Sequence, residues 1–117
     1  MFAFLMGLKS VTPAELHRLV LDGQVMVIDV NSRQSWEKAH VPGALHVDPV
    51  AWTEADLPPD KQTGLVFYCS NPMCRKAPTA ARRAKAMGHA NVRVLSAGIT
   101  GWIAAKLPTE GAEQAHV

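Results

Sequence analysis

The stretch Leu65–Gly88, LVFYCSNPMCRKAPTAARRAKAMG, decides how the chain is read. Leu65 to Tyr68 is an unbroken apolar run of strand length, the pattern of a strand buried on both faces. It ends directly in Cys69, a short turn with Asn71 and Pro72 follows, and Lys76 to Met87 continues as an alanine- and arginine-rich helix. Ala77, Ala80, Ala81, Ala84 and Met87 fall on one face of that helix and let it sit close against a sheet. Strand, cysteine, tight loop and helix start together describe an anion-binding nucleophile site.

The helix start supplies the chemistry. Its first backbone N–H groups lack intrahelical partners and the macrodipole adds positive potential, so an anion is held there and a nearby thiol is pushed towards thiolate. Cys69 is therefore expected to be a reactive cysteine of lowered pKa. Pro72 removes one N–H from the loop, and the amides of Ser70, Asn71, Met73, Cys74 and Arg75 remain to form a cradle. Arg75, six positions after Cys69, offers a fixed-charge fork for an oxyanion, with Lys76 beside it. The alternative is a buried, inert strand-end cysteine.

Outward from this stretch, 117 residues fit one domain, with a core from about residue 10 to about 108 between terminal arms 1–7 and 109–117. A 48% apolar share with 19% charged residues is that of an ordinary folded domain. The net charge of +2 does not argue for nucleic acid. Arg75, Lys76, Arg82, Arg83 and Lys85 nevertheless crowd one helix, where they either steer an anionic substrate or form a solvated basic face. Two cysteines make no disulfide scaffold, which points to a cytoplasmic protein with free thiols. The opening MFAFLMG lacks the marks of a signal peptide and reads as an exposed arm or a subunit contact; no apolar run is long enough to span a bilayer.

Along the chain, Thr12, Pro13 and Glu15 mark a helix start, with Leu16, Leu19 and Val20 on its apolar face. Val25 to Ile28 is a buried strand ending at Asp29, and a short helix with Ser32, Trp36 and Lys38 runs up to Ala39. His40–Ala44 is a turn, Leu45 to Val47 a short strand, and Asp48 to Gln62 a proline-bearing loop with at most one short helix around Val50 to Ala55. Val92 to Leu95 is a further strand and Ile99 to Ala105 a last helix, after which Leu107-Pro108 and the polar tail following it are expected to fray. Apolar strands alternating with helices predict an α/β fold with a mainly parallel sheet, whose ligands bind at the carboxyl ends of strands, where Asp29 and Cys69 both lie.

Four pieces in this order also resemble the rhodanese-like domains: the strand ending in Asp29-Val30, HVPGA at His40–Ala44, the strand and loop around Tyr68-Cys69, and LSAGITGW at Leu95–Trp102. The resemblance covers about Ser10 to Pro108 and implies a five-stranded, mainly parallel sheet with helices on both faces. It implies that Cys69 is the catalytic cysteine, accepting a sulfane sulfur as a persulfide from a small anionic donor such as thiosulfate and passing it to a thiol or protein acceptor. Ser70 to Arg75 would line the loop, with Lys76 near the leaving anion and Asp29 and His40 in support. The charge and the apolar runs point to no nucleic-acid and no membrane partner, the spacing of Cys69, Cys74, His40 and His46 matches no common zinc pattern, and no cofactor is expected.

The chain departs from the family pattern at several places. Asn31 stands where an arginine is usual and Ser35 where its acidic partner is usual, so both halves of an ion pair are absent together. Ala39 and Ala97 stand where glycine is common. The span from Cys69 to Arg75 is one residue longer than is common in single-domain sulfurtransferases and resembles that of rhodanese-like phosphatases and arsenate reductases, although Pro72 and Cys74 do not match their loops. A phosphatase, an arsenate reductase and a non-catalytic binding module are the competing readings. Cys74 is either an inward-turned small residue or the partner of Cys69 in a redox or sulfur-passing pair. Trp36, Trp52 and Trp102 read as core or rim packing, with Trp52 a candidate for the pocket wall.

Overall fold

A computed structural model describes residues 7–112. Five strands form one all-parallel sheet in the order β1-β5-β4-β2-β3, with β1 at Lys9–Val11, β2 at Val25–Asp29, β3 at Leu45–His46, β4 at Gly64–Tyr68 and β5 at Val92–Leu95. Helices α1 (Pro13–Leu21), α2 (Arg33–Lys38), α3 (Lys76–Ala86) and α4 (Gly98–Ala104) connect them, and the loop after β3 carries one 3-10 turn at Glu54–Asp56. The first strand escapes the sequence reading. Lys9 and Ser10 are exposed and Val11 alone is buried, so an edge strand of three residues leaves no hydrophobic pattern to read.

Alternation along the two central strands divides the core into two layers. On one face, Ile28, Leu65, Phe67 and Cys69 pack with Ala77, Ala80, Ala81 and Ala84 of α3, and with Trp52 and Leu57 of the long loop. On the other, Val27, Val66 and Tyr68 pack with Leu16 of α1 and Trp102 of α4. The alanine face of α3 is buried as its spacing predicts, and both faces of the sheet carry helices. Trp52 is a core residue, not a pocket wall. It is 2% exposed, tilts against Phe67 at 6.1 Å, and has the Arg83 guanidinium 4.4 Å above its ring.

The tail does not fray at Pro108. Trp102 Nε1 donates to the Pro108 carbonyl at 2.7 Å, His40 and Glu110 exchange two backbone hydrogen bonds of 2.9 Å, and the Ala112 N–H reaches the Glu37 carbonyl at 2.8 Å. Glu110 Oε1 also accepts from the Gly43 N–H at 2.8 Å. The sequence reading missed this because the tail's partners are backbone groups of a distant turn. Of the two predicted terminal arms, 1–6 and 113–117 lie outside the described residues.

Helix α1 starts as its sequence predicts. Thr12 accepts from the Glu15 N–H at 3.1 Å and the Glu15 carboxylate accepts from the Thr12 N–H at 2.8 Å, a reciprocal capping box with Pro13 at the first helical position. Replacing the cap with alanine, Thr12→Ala, is expected to cost about 1 kcal/mol. A lowered urea midpoint at unchanged slope checks it, with the Cys69 loop unaffected.

Candidate active site

Asp29 and Tyr68 stand side by side at the carboxyl ends of the paired strands β2 and β4. The Tyr68 hydroxyl donates to Asp29 Oδ2 at 2.7 Å and accepts from the Val41 N–H at 3.1 Å, while Asp29 Oδ1 accepts from the Asn31 N–H at 2.7 Å. Both side chains are fully buried. Burial pushes the Asp29 carboxyl above its usual range, against the pull of these hydrogen bonds, and burial together with the Asp29 charge pushes the Tyr68 phenol up. Asp29 thus holds the backbone that leads into Asn31. Asn31 Oδ1 in turn accepts from Ser70 Oγ at 2.9 Å. The residue at the family's usual arginine position is therefore a direct brace for the cysteine loop, 39 residues away in sequence. The usual acid's replacement, Ser35, is occupied locally, where its N–H donates to the Ser32 cap at 3.1 Å.

His40 is held within its own turn and by the tail. Its Nδ1 lies 2.5 Å from the Trp36 carbonyl, its ring stacks on Trp36 at 4.3 Å, and Nε2 faces Glu110 at 3.8 Å. None of these partners belongs to the cysteine loop.

Cys69 follows β4 at the centre of the sheet and is 3% exposed. Its carbonyl and that of Ser70 accept the Ile99 and Thr100 N–H groups at 2.9 and 3.0 Å, so the start of α4 clamps the base of the loop. Gly98 makes this approach possible: its φ is +68°, and a Cβ there would fall 2.5 Å from the Ser70 carbonyl. The LSAGITGW segment therefore belongs to the site.

The loop itself is a tight turn. The Cys74 N–H donates to the Asn71 carbonyl at 3.1 Å and the Met73 N–H to Asn71 Oδ1 at 2.9 Å. Asparagine at the first position and proline at the second are the residues such a turn favours. Two of the five amides expected to form the cradle are thus spent inside the turn. The N–H groups facing sulfur come from Ser70 and from the first turn of α3: Ala77 and Ser70 at Cys69, Lys76 and Ser70 at Cys74. Ala77 is the residue that sequence reasoning missed, because it placed the cradle before the helix and not in its first turn. Asn71, Met73, Arg75 and Lys76 are exposed at the rim, and Met73 is 74% exposed.

The acidity of Cys69 is opposite to that expected. Burial, reinforced by a hydrogen bond to Cys74, pushes its thiol up to about 12, and the Ala77 and Ser70 amides only partly offset this. Cys69 Sγ also donates to the Cys74 carbonyl at 3.6 Å. Partial burial likewise acts to raise Cys74, but the Cys69 hydrogen bond, the Lys76 and Ser70 amides and the Lys76 charge outweigh it, so Cys74 lies below its ordinary value. The helix start thus stabilises one negative charge on a pair of thiols, carried first by Cys74. Cys74 is half-buried and packs against the α3 layer.

A parallel α/β sheet with a thiol loop cradled between a central strand and a helix start defines a class of cysteine-centred sites at strand ends. The family model of the rhodanese-like domain matches residues 12–105, and the chain belongs to that family. It is 35% identical over 111 residues to the HTH-type transcriptional regulator Rv0324 of Mycobacterium tuberculosis, an alignment covering 92% of this chain and 47% of that protein. The chain therefore spans less than half the length of that curated relative. Among solved structures, the BH2092 protein of Bacillus halodurans superposes with a TM-score of 0.81 at 24% identity, covering 88% of this chain and 77% of that one. A thiosulfate sulfurtransferase of Pseudomonas aeruginosa superposes with a TM-score of 0.77 at 26% identity, covering 91% of this chain and 20% of that one. Among the described residues, no helix is long and apolar enough to cross a membrane.

Proposed function

We propose that the protein is a sulfurtransferase that carries a sulfane sulfur on Cys69. The observation that carries this reading is the placement of the Cys69 sulfur against the Ser70 and Ala77 amides at the start of α3. A terminal persulfide sulfur is an anion on a stem one atom longer than a thiol, and amides aimed at the loop interior stabilise it there. The likeness to the Pseudomonas aeruginosa enzyme supports the same chemistry.

In this reading Cys69 gives up its proton to solvent, and its thiolate attacks the outer sulfur of a donor such as thiosulfate. The donor's S–S bond breaks, sulfite leaves, and a Cys69 persulfide remains. Arg75 and Lys76, exposed at the rim, attract the anionic donor and orient the departing anion. A thiol or other thiophile then takes the outer sulfur. Cytoplasmic action and a small anionic donor belong to the same proposal.

Cys69→Ser is expected to abolish sulfur transfer from thiosulfate to cyanide and to leave the protein without added sulfur after incubation with thiosulfate. Intact-mass spectrometry and thiocyanate formation report the two effects. Full activity in the variant would sink the reading.

A further inference from the structure

We propose that Cys74 is the resolving thiol of this site, attacking the inner sulfur of the Cys69 persulfide to close a Cys69–Cys74 disulfide and release the transferred sulfur as hydrosulfide. The inference rests on the persulfide reading above and adds to it a second reacting residue and a class of electron donor.

Three observations carry it. The Asn71-Pro72-Met73-Cys74 turn, closed by two hydrogen bonds to Asn71, folds the chain back so that Cys74 returns to the residue at which the loop began. The two cysteines then meet: Cys69 Sγ donates to the Cys74 carbonyl at 3.6 Å, and each thiol influences the acidity of the other. The sulfur that meets Cys74 is Cys69 Sγ itself, which is the inner sulfur once a persulfide has formed. Finally, the pair is graded in exposure, with Cys69 buried and Cys74 half-buried. The positions of the Lys76 and Ser70 amides and of the Lys76 ammonium favour the attacking thiolate on Cys74.

The step balances. Cys74 thiolate forms a bond to Cys69 Sγ, the bond between Cys69 Sγ and the outer sulfur breaks, and the anionic outer sulfur takes one proton from solvent and leaves as HS⁻. The outer sulfur is reduced to sulfide and the two thiols are oxidised to a disulfide. Restoring them needs two electrons from an external dithiol, small or protein-borne. The half-buried Cys74 sulfur is the one open to its attack, which frees Cys69 for the next donor.

The test uses reduced protein, freed of reductant, with thiosulfate as the sole addition, followed by acid-quenched intact mass and a sulfide assay. The wild type is expected to release up to one sulfide per chain and to finish two hydrogens lighter than the reduced protein. Cys74→Ser and Cys74→Ala are expected to retain the persulfide mass and release no sulfide until dithiothreitol is added. If the wild type holds its persulfide as long as both variants do and releases no sulfide, the resolving role is overturned while the persulfide reading stands. If none of the three proteins gains sulfur and the wild type releases no sulfide, both are overturned.

Discussion

Gly98→Ala is expected to lower stability by about 3 kcal/mol and to remove most of the proposed sulfur-transfer activity, although residue 98 carries no reacting group. Two costs combine. A non-glycine residue at φ +68° pays about 1–2 kcal/mol for the left-handed conformation. The new methyl would also lie 2.5 Å from the carbonyl carbon and oxygen of Ser70 and 2.6 Å from the Asn71 nitrogen, all backbone atoms that no rotamer change can move. Relief requires α4 and the cysteine loop to part, which breaks the Ile99 and Thr100 bonds to the Cys69 and Ser70 carbonyls. Gly23→Ala separates the costs. Its φ is +66° with nothing within 4 Å of the added methyl, so it is expected to show the conformational penalty alone and full activity. Urea unfolding and thiosulfate turnover of the two variants check the pair; equal losses of stability would remove the steric argument.

Tyr68→Phe is expected to cost about 3 kcal/mol near neutral pH, because one hydroxyl satisfies two fully buried groups. Its removal leaves the Val41 N–H without that acceptor and takes from the Asp29 carboxylate its Tyr68 donor. The penalty depends on pH with a definite sign. Asp29 already has a raised pKa through burial, and the Tyr68 hydrogen bond is the strongest influence holding it down. Without that bond the folded-state pKa rises further, while the unfolded value is unchanged. The variant's deficit is therefore full above the folded-state pKa of Asp29 and shrinks as pH falls through it and the carboxyl becomes protonated. Unfolding free energies measured at neutral and at mildly acidic pH should converge between wild type and variant. A gap that widens on acidification would contradict the buried-carboxylate account.

The central strands and the position of Cys69 are legible in the sequence because Val25–Ile28 and Leu65–Tyr68 are apolar runs closed by polar or small residues, and Val92–Leu95 is apolar apart from Arg93. The alanine spacing of α3 likewise states which face it buries. Lys9–Val11 is not legible, since a short edge strand needs no periodic burial. The acidity of Cys69 is misread for a different reason. A helix start can be recognised from neighbouring residues, whereas burial depends on Phe67, α3 and Cys74 enclosing the sulfur, and here burial outweighs the amides. The Asn31–Ser70 brace and the Glu110 contacts join positions far apart in sequence and carry no local signature.

The strand order also fixes when the site can exist. Strand β1 has no partner until β5 is present, because Lys9–Val11 pairs with Arg93–Leu95, and the base of the cysteine loop is not held until Ile99 and Thr100 reach it. During synthesis from the N-terminus, a chain extended only to residue 90 carries both thiols but lacks β5 and the α4 clamp. The cysteine loop therefore takes its final shape late, together with the closing edge of the sheet, and a nascent chain exposes two cysteines whose loop α4 does not yet hold.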